Sequence, residues 1–163
     1  MLPDAVQRVA DFLRDSRAEA TIEEFPNGTP TAEAAARATG VEPARIVKSL
    51  VFLCDGRPVL VLVPGDRRAD DEKIGRAVQA RACRVATREE VVAATGFSPG
   101  AVAPFPVSPG TTVLIDSTLL AHESVWVGAG SPKHMARLRP GELLRLSRAR
   151  QMDAVAERTY HSD

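Results

Sequence analysis

The feature that most restricts how this chain can fold is the run from Ile46 to Val63. Ile46 to Cys54 is almost wholly apolar, Asp55-Gly56 follows, and Pro58 to Val63 is apolar again. Asp-Gly between two such runs supplies the positive backbone dihedrals of a two-residue hairpin turn, so the segment reads as two antiparallel strands. Because both faces of these strands are apolar, the hairpin belongs in the middle of a sheet covered on both sides. Lys48 interrupts that apolar run.

Covering such a sheet takes helices, and their signals flank it. Val6, Val9, Ala10 and Leu13 recur at helical spacing between Pro3 and Ala18. Thr21 to Phe25 can be extended, and Pro26-Asn27-Gly28 ends it as a turn. Thr29 or Thr31 then caps a second, Ala-rich helix with Pro30 in its first turn and Gly40 just past its end. After the hairpin come a helix around Asp70 to Val78, a strand around Ala82 to Val85, and a helix opened by the capping-box pattern Thr87-x-x-Glu90 and stopped at Gly96. The Pro- and Gly-rich loop Phe97 to Gly110 leads to strands at Thr112 to Asp116, Ser124 to Val127 and His134 to Leu138, and to a helix over Pro140 to Ala149. No regular βαβ repeat is present, so the expected fold is α/β of the α+β type, with a mixed, mainly antiparallel sheet and surrounding helices.

The length of 163 residues, 44% of them hydrophobic, suits one domain spanning residues 1–163. Aromatic residues make up only 4%, so the core must come from Val, Leu, Ile and Ala with a few large pieces such as Trp126 and Phe105. Zero formal net charge argues against a surface that grips nucleic acid indiscriminately, although Lys133, Arg137, Arg139, Arg145, Arg148 and Arg150 make the C-terminal part locally basic. That run is either a solvated face or a tRNA contact. Cys54 and Cys83 lack C-x-x-C spacing and read as buried reduced thiols, which implies a reducing cytosol. Neither a signal-peptide core nor a membrane span is expected, so the protein should be cytoplasmic with no membrane partner.

A lysine within a buried strand is costly to keep charged. Lys48 either snorkels to water from the strand's end or serves a function. Two glycine-bearing loops could converge on it. Gly100-Ala101-Val102-Ala103-Pro104 is stiffened by Pro99 and Pro106, and Gly128-Ala129-Gly130-Ser131 can present main-chain N–H groups to an anion or a carbonyl oxygen.

In its combination of Thr31-Ala32-Glu33-Ala34-Ala35, Ile46-Val47-Lys48-Ser49-Leu50-Val51-Phe52, the G-x-x-x-P loop Gly100 to Pro104, and Gly128-Ala129-Gly130, the chain resembles the YbaK/ProX family, relatives of the editing domain inserted in bacterial prolyl-tRNA synthetases. The resemblance runs nearly end to end. It implies a barrel-like mixed sheet and hydrolysis of the ester joining a wrong amino acid to the tRNA 3′ end, with small residues such as Ala, Ser or Cys on proline tRNA as the family's usual range. Lys48 would be the catalytic residue, positioning the substrate by its charge. Gly100, Ala101, Val102, Ala103, Pro104, Gly128, Ala129, Gly130 and Ser131 would hold the carbonyl and shape the pocket, with Thr31, Ser49 and Phe25 as candidate walls. The implied partners are mischarged tRNA and an aminoacyl-tRNA synthetase, and no cofactor or metal is implied. The position after the lysine varies among branches, so Ser49 leaves the amino acid open.

Two other readings stand beside this one. The chain could be a non-catalytic tRNA- or synthetase-binding accessory of the same fold. It could also be a serine hydrolase, since Gly96-Phe97-Ser98-Pro99-Gly100 matches G-x-S-x-G. An elbow serine, however, follows a strand and uses the N–H of the next residue, which Pro99 lacks. The stretch Gly128 to His134 has neither a P-loop nor a dinucleotide-binding spacing. His122, His134 and His161 form no metal-binding motif, and His134, although close to the second loop, reads first as a surface residue.

Overall fold

The computed structural model describes residues 1–157. Its first half comprises α1 (Asp4–Asp15), β1 (Ala20–Glu24), α2 (Ala32–Thr39), a 3₁₀ turn at Pro43–Arg45, β2 (Val47–Cys54), β3 (Arg57–Pro64), α3 (Asp71–Val78) and β4 (Cys83–Val85). Then follow α4 (Arg88–Thr95), β5 (Thr112–Asp116), a 3₁₀ turn at Ser117–Ala121, β6 (Val125–Ser131), β7 (His134–Leu138), α5 (Pro140–Ser147) and β8 (Arg150–Met152).

The hairpin forms where the sequence places it. Asp55 and Gly56 take φ of 49° and 80°, and Cys54 pairs with Arg57 across the turn. Capping follows the local chemistry as well. Thr31 Oγ1 accepts from Ala34 N, Thr87 and Glu90 form a reciprocal capping box, and Gly40 and Gly96 end their helices in the left-handed conformation. The last helix stops at Ser147 rather than Ala149 because Arg148 turns left-handed (φ 56°), which redirects the chain into β8.

The strands form two sheets. One has the order β4-β2-β3-β5-β8, antiparallel in the first two pairings and parallel in the last two. The other, β1-β7-β6, is antiparallel throughout. Among the described residues a single parallel bridge, between Ile46 and Trp126, joins them, and no closed barrel results.

Period-two alternation gives the five-stranded sheet two cores. Val51, Leu60, Leu62, Val113 and Ile115 face Val125, Val127, Ala136 and Leu138 of the second sheet, with Val9 and Leu13 of α1 and Leu143 and Leu146 of α5 sealing the space. The opposite face, carrying Phe52, Val59, Val61, Val63 and Leu114, packs on Ile74 of α3 and on Ala154 and Val155. Each fully buried Leu, Ile or Val contributes about 1.5–3 kcal/mol relative to exposure. A third cluster seats Ala35 and Ala36 of α2 on Ile46, Trp126 and Met135.

One expectation is corrected. Cys54 and Cys83 are not separate thiols but a disulfide, with Cα atoms 4.1 Å apart. The cause is long-range register: β4 lies antiparallel beside β2 and sets Cys83 directly opposite Cys54, a pairing that a separation of 29 residues hides from any spacing rule.

Candidate active site

The Lys48 pocket lies where the two sheets part. Beside β2, β4 pairs only with Phe52, Leu53 and Cys54, the last contact being the bond from Ala86 N to Val51 O. At the other end the Ile46–Trp126 bridge ties β2 to β6. Between these two points β2 has a strand neighbour on one edge only. In an antiparallel strand alternate residues direct their main-chain groups to the same edge. Val51 O and Asp55 N bond toward β4, whereas Ile46 O bonds to Gly65 N beyond the end of β3. The N–H and C=O of Ser49 therefore face the gap.

Across the gap lies β6. Its register with β7 is broken between the pairs Gly128↔Met135 and Ser131↔His134, so Ala129 and Gly130 form a bulge. The resulting pocket has a volume of about 310 Å³. Its walls are Thr29, Pro30, Thr31, Ala32 and Ala35, then Ile46, Val47, Lys48, Ser49 and Leu50, then Gly100 and Val102, and finally Gly128, Ser131, His134 and Met135. The two glycine loops do meet here: a Cβ on Gly128 would lie 2.6 Å from the Val102 carbonyl oxygen, so only glycine permits this approach.

Lys48 is half-buried, and its Nζ donates to the main-chain oxygen of Arg67 at 2.6 Å. Burial lowers its pKa, Glu33 and Asp66 act in the opposite direction, and Arg68 adds to the lowering. The result is a pocket-lining lysine whose ammonium is held by the Arg67 carbonyl in the field of the Glu33 and Asp66 carboxylates.

Comparison with known proteins gives this geometry a family. Residues 26–146 match the model of the aminoacyl-tRNA editing domain. The chain belongs to that family. It is 33% identical over 130 residues to the uncharacterized protein YwhH of Bacillus subtilis, an alignment covering 79% of this chain and 82% of YwhH. It is also 33% identical over 102 residues to the proline–tRNA ligase of Lactobacillus gasseri, covering 63% of this chain and 18% of that ligase. Among solved structures, "a putative trans-editing enzyme for prolyl tRNA synthetase" superposes with a TM-score of 0.89 at 36% identity, covering 96% of this chain and all of that one.

Within this editing domain the residues singled out in the sequence fall in different places. Lys48, Thr31, Ser49, Gly100, Val102, Gly128 and Ser131 line the pocket. Ala101, Ala103, Pro104 and Ala129 are buried in the protein behind it. Gly130 (φ 102°) serves helix packing, since a Cβ there would meet Ala5 O of α1 at 2.8 Å. Phe25 packs edge-on against Trp126, with ring centroids 5.7 Å apart. Ser98 follows the left-handed cap of α4 rather than a strand, and its carbonyl accepts from Ala101 N.

His134 is not the surface residue expected from the sequence. It is 6% exposed and its Nδ1 lies 2.6 Å from Ser131 Oγ, which also accepts from Lys133 N at 3.0 Å. The signal available was its place opposite Ser131 in the bulged hairpin. Ala32, Ala35 and Met135 also went unread as pocket walls, because small or apolar residues on three different elements carry no site pattern. The serine at position 49 has a buried Oγ with no hydrogen-bond partner among the described residues.

The basic run from Lys133 to Arg150 does not gather at the pocket. Arg145 pairs with Glu142 and Ser16 O, Arg150 donates to Ala77 O, and Arg137 lies over Trp126. Among the described residues no group of three His, Cys, Asp or Glu is placed to hold a metal, and no helix is long and apolar enough to cross a membrane. His161 lies outside the described residues.

Proposed function

We propose that this editing domain is a hydrolase that deacylates mischarged aminoacyl-tRNA in trans, removing a small amino acid such as Ala, Ser or Cys from proline tRNA. The observation that carries this reading is the presence of Lys48, its ammonium fixed by Arg67 O, in the wall of a small pocket formed by strand-edge main chain and by Ala32, Ala35, Val47 and Val102. Selectivity by size is the expected consequence of such walls, and a second sieve is needed because a single pocket separates neighbours differing by a methylene by only about 1–3 kcal/mol. Likeness to the prolyl trans-editing protein and to proline–tRNA ligases supports proline tRNA as the carrier.

In this mechanism Lys48 pairs with a phosphate oxygen of the terminal nucleotide and fixes the 3′ end against the pocket mouth. Main-chain N–H groups at the pocket-lining positions Ser49, Gly100, Val102, Gly128 and Ser131 stabilise the negative charge that develops on the ester's carbonyl oxygen. Water attacks the ester carbon, the bond to the ribose oxygen breaks, and that oxygen takes up a proton, leaving free amino acid and tRNA. The partners are the 3′ acceptor end of mischarged tRNA and a prolyl-tRNA synthetase, and the compartment is the cytoplasm. Cytoplasmic thiols are held reduced, so there the β2–β4 ladder and the bonds from Arg81 N and Ala82 N to the Asp55 carboxylate hold β4 in place of the disulfide.

Single-turnover release of amino acid from Ala-, Ser-, Cys- and Thr-charged proline tRNA, with wild type beside Lys48→Ala, tests the proposal. The expected result is fast release from at least one small-residue member that is lost in the variant. No release from any member overturns it in favour of a tRNA- or synthetase-binding accessory.

A further inference from the structure

The carbonyl that receives the Lys48 ammonium belongs to the loop between β3 and α3, and that loop is tied to a C-terminal strap, Asp153–Ala156. Asp70 N donates to Ala154 O, Ala156 N donates to Arg68 O, and Ala69 and Val155 form an antiparallel bridge. The Arg67 guanidinium adds Nη2 to Ala156 O at 2.7 Å, so the residue whose carbonyl holds Lys48 also grips the strap with its side chain. The strap itself is fixed from below: Ala154 N donates to the carboxylate of Asp116, a residue only 1% exposed, and Ala154 and Val155 are buried against Phe52, Val63 and Ile74. The strap lies beyond residue 146, where the family match ends, whereas the loop and Asp116 that it binds lie within the match.

We propose that the strap positions Lys48 through Arg67. A half-buried lysine has many rotamers, and a carbonyl locates its ammonium only if the carbonyl is itself held. Gly65 anchors the near end of the loop, donating to Ile46 O at 2.7 Å. The far end is tied to the strap, and Arg67 is a side-chain link between them. Arg67 is thus a positioning residue, acting on the 3′ end through Lys48. Its effect on catalysis rests on the deacylase reading; its effect on Lys48 does not.

The sequence contains three lysines, Lys48, Lys73 and Lys133, so the ammonium signals of [15N]lysine-labelled protein resolve the question directly. In Arg67→Met, which keeps an apolar stem and loses the donor, exchange of the Lys48 ammonium protons with water is expected to quicken by about tenfold. Lys73, which is bound to Asp153 and Val155 O, and exposed Lys133 should be unchanged, showing that the strap has not melted. Arg67→Lys, able to reach a carbonyl, should restore slow exchange. Unchanged Lys48 exchange in a folded Arg67→Met protein overturns the proposal. In deacylation, Arg67→Met should lower kcat about tenfold in the wild-type background and cost nothing further beside Lys48→Ala. A full additive loss in that double variant also overturns it, since Arg67 would then act on substrate independently. If wild type releases no amino acid, the deacylase reading fails and the exchange rates alone decide.

Discussion

The two ends of β2 are built from the same kind of sequence and do opposite things. At the Cys54 end the strand is paired on both edges, by β3 and β4, and cross-linked to Cys83. At the Lys48 end it is paired on one edge only, and the missing neighbour leaves the pocket. An unpaired edge in a buried sheet is normally a liability. Here it is the one stretch of the central hairpin where main-chain donors are free to meet a ligand, and it is where the strand carries its charge.

The largest expected effect tests the open end. Lys48→Ala should lower single-turnover deacylation by about 10²–10³-fold, equivalent to about 2.7–4 kcal/mol of transition-state stabilisation, while the melting temperature stays level or rises because a half-buried charge has been removed. A parallel fall in melting temperature would assign Lys48 a structural role instead. The closed end should behave in the reverse sense. Cys54→Ser with Cys83→Ser, compared in oxidised protein, should cost about 3 kcal/mol in denaturant unfolding and leave deacylation at 25 °C unchanged. A matching loss of activity would mean that the two ends are coupled along the strand.

A smaller effect separates two glycines of the pocket. Gly128→Ala pushes a methyl to within 2.6 Å of Val102 O, so backbone must move, at about 1–3 kcal/mol of stability, and kcat/KM should fall. Gly100→Ala meets nothing within 4 Å but must hold φ 83°, which costs about 1 kcal/mol without closing the pocket. Equal losses of kcat/KM would show that the narrow contact between the loops is not what shapes the site.

The closed end was the legible one. Asp55-Gly56 carries its turn geometry in two residues, and the apolar runs on either side declare a strand buried on both faces. Thr31, Thr87 with Glu90, and Gly96 announce helix ends by chemistry local to a few positions. The open end is made of absences and long-range meetings. That β4 stops at Phe52 follows from register between distant segments, as does the landing of Cys83 opposite Cys54 at the closed end, while His134 is buried beside Ser131, three residues away, through the bulge in β6. Ala101 and Ala129 face the core while Val102 and Gly128 line the pocket; composition cannot choose between neighbours when a bend or a bulge decides which way each one points. β8, three residues long and apolar only at Met152, has no alternation to read.

The subtlest prediction sets stability and binding against each other at the open end. Burial lowers the pKa of Lys48 below its ordinary value of 10.5. Between the lowered folded value and the unfolded one the unfolded chain binds more protons, so the stability cost of a buried ammonium, fully present below that window, is relieved as pH rises through it. Binding runs the other way: a phosphate is held only by the charged amine, so affinity for a non-hydrolysable 3′-amide analogue of the aminoacyl end should fall over the same window. Lys48→Arg, charged throughout, should abolish both slopes. Isothermal titration and denaturant unfolding across alkaline pH would read them side by side. Affinity that stayed flat in wild type while stability rose would leave Lys48 as a buried charge with no hold on the substrate, and the site would then rest on the strand edges alone.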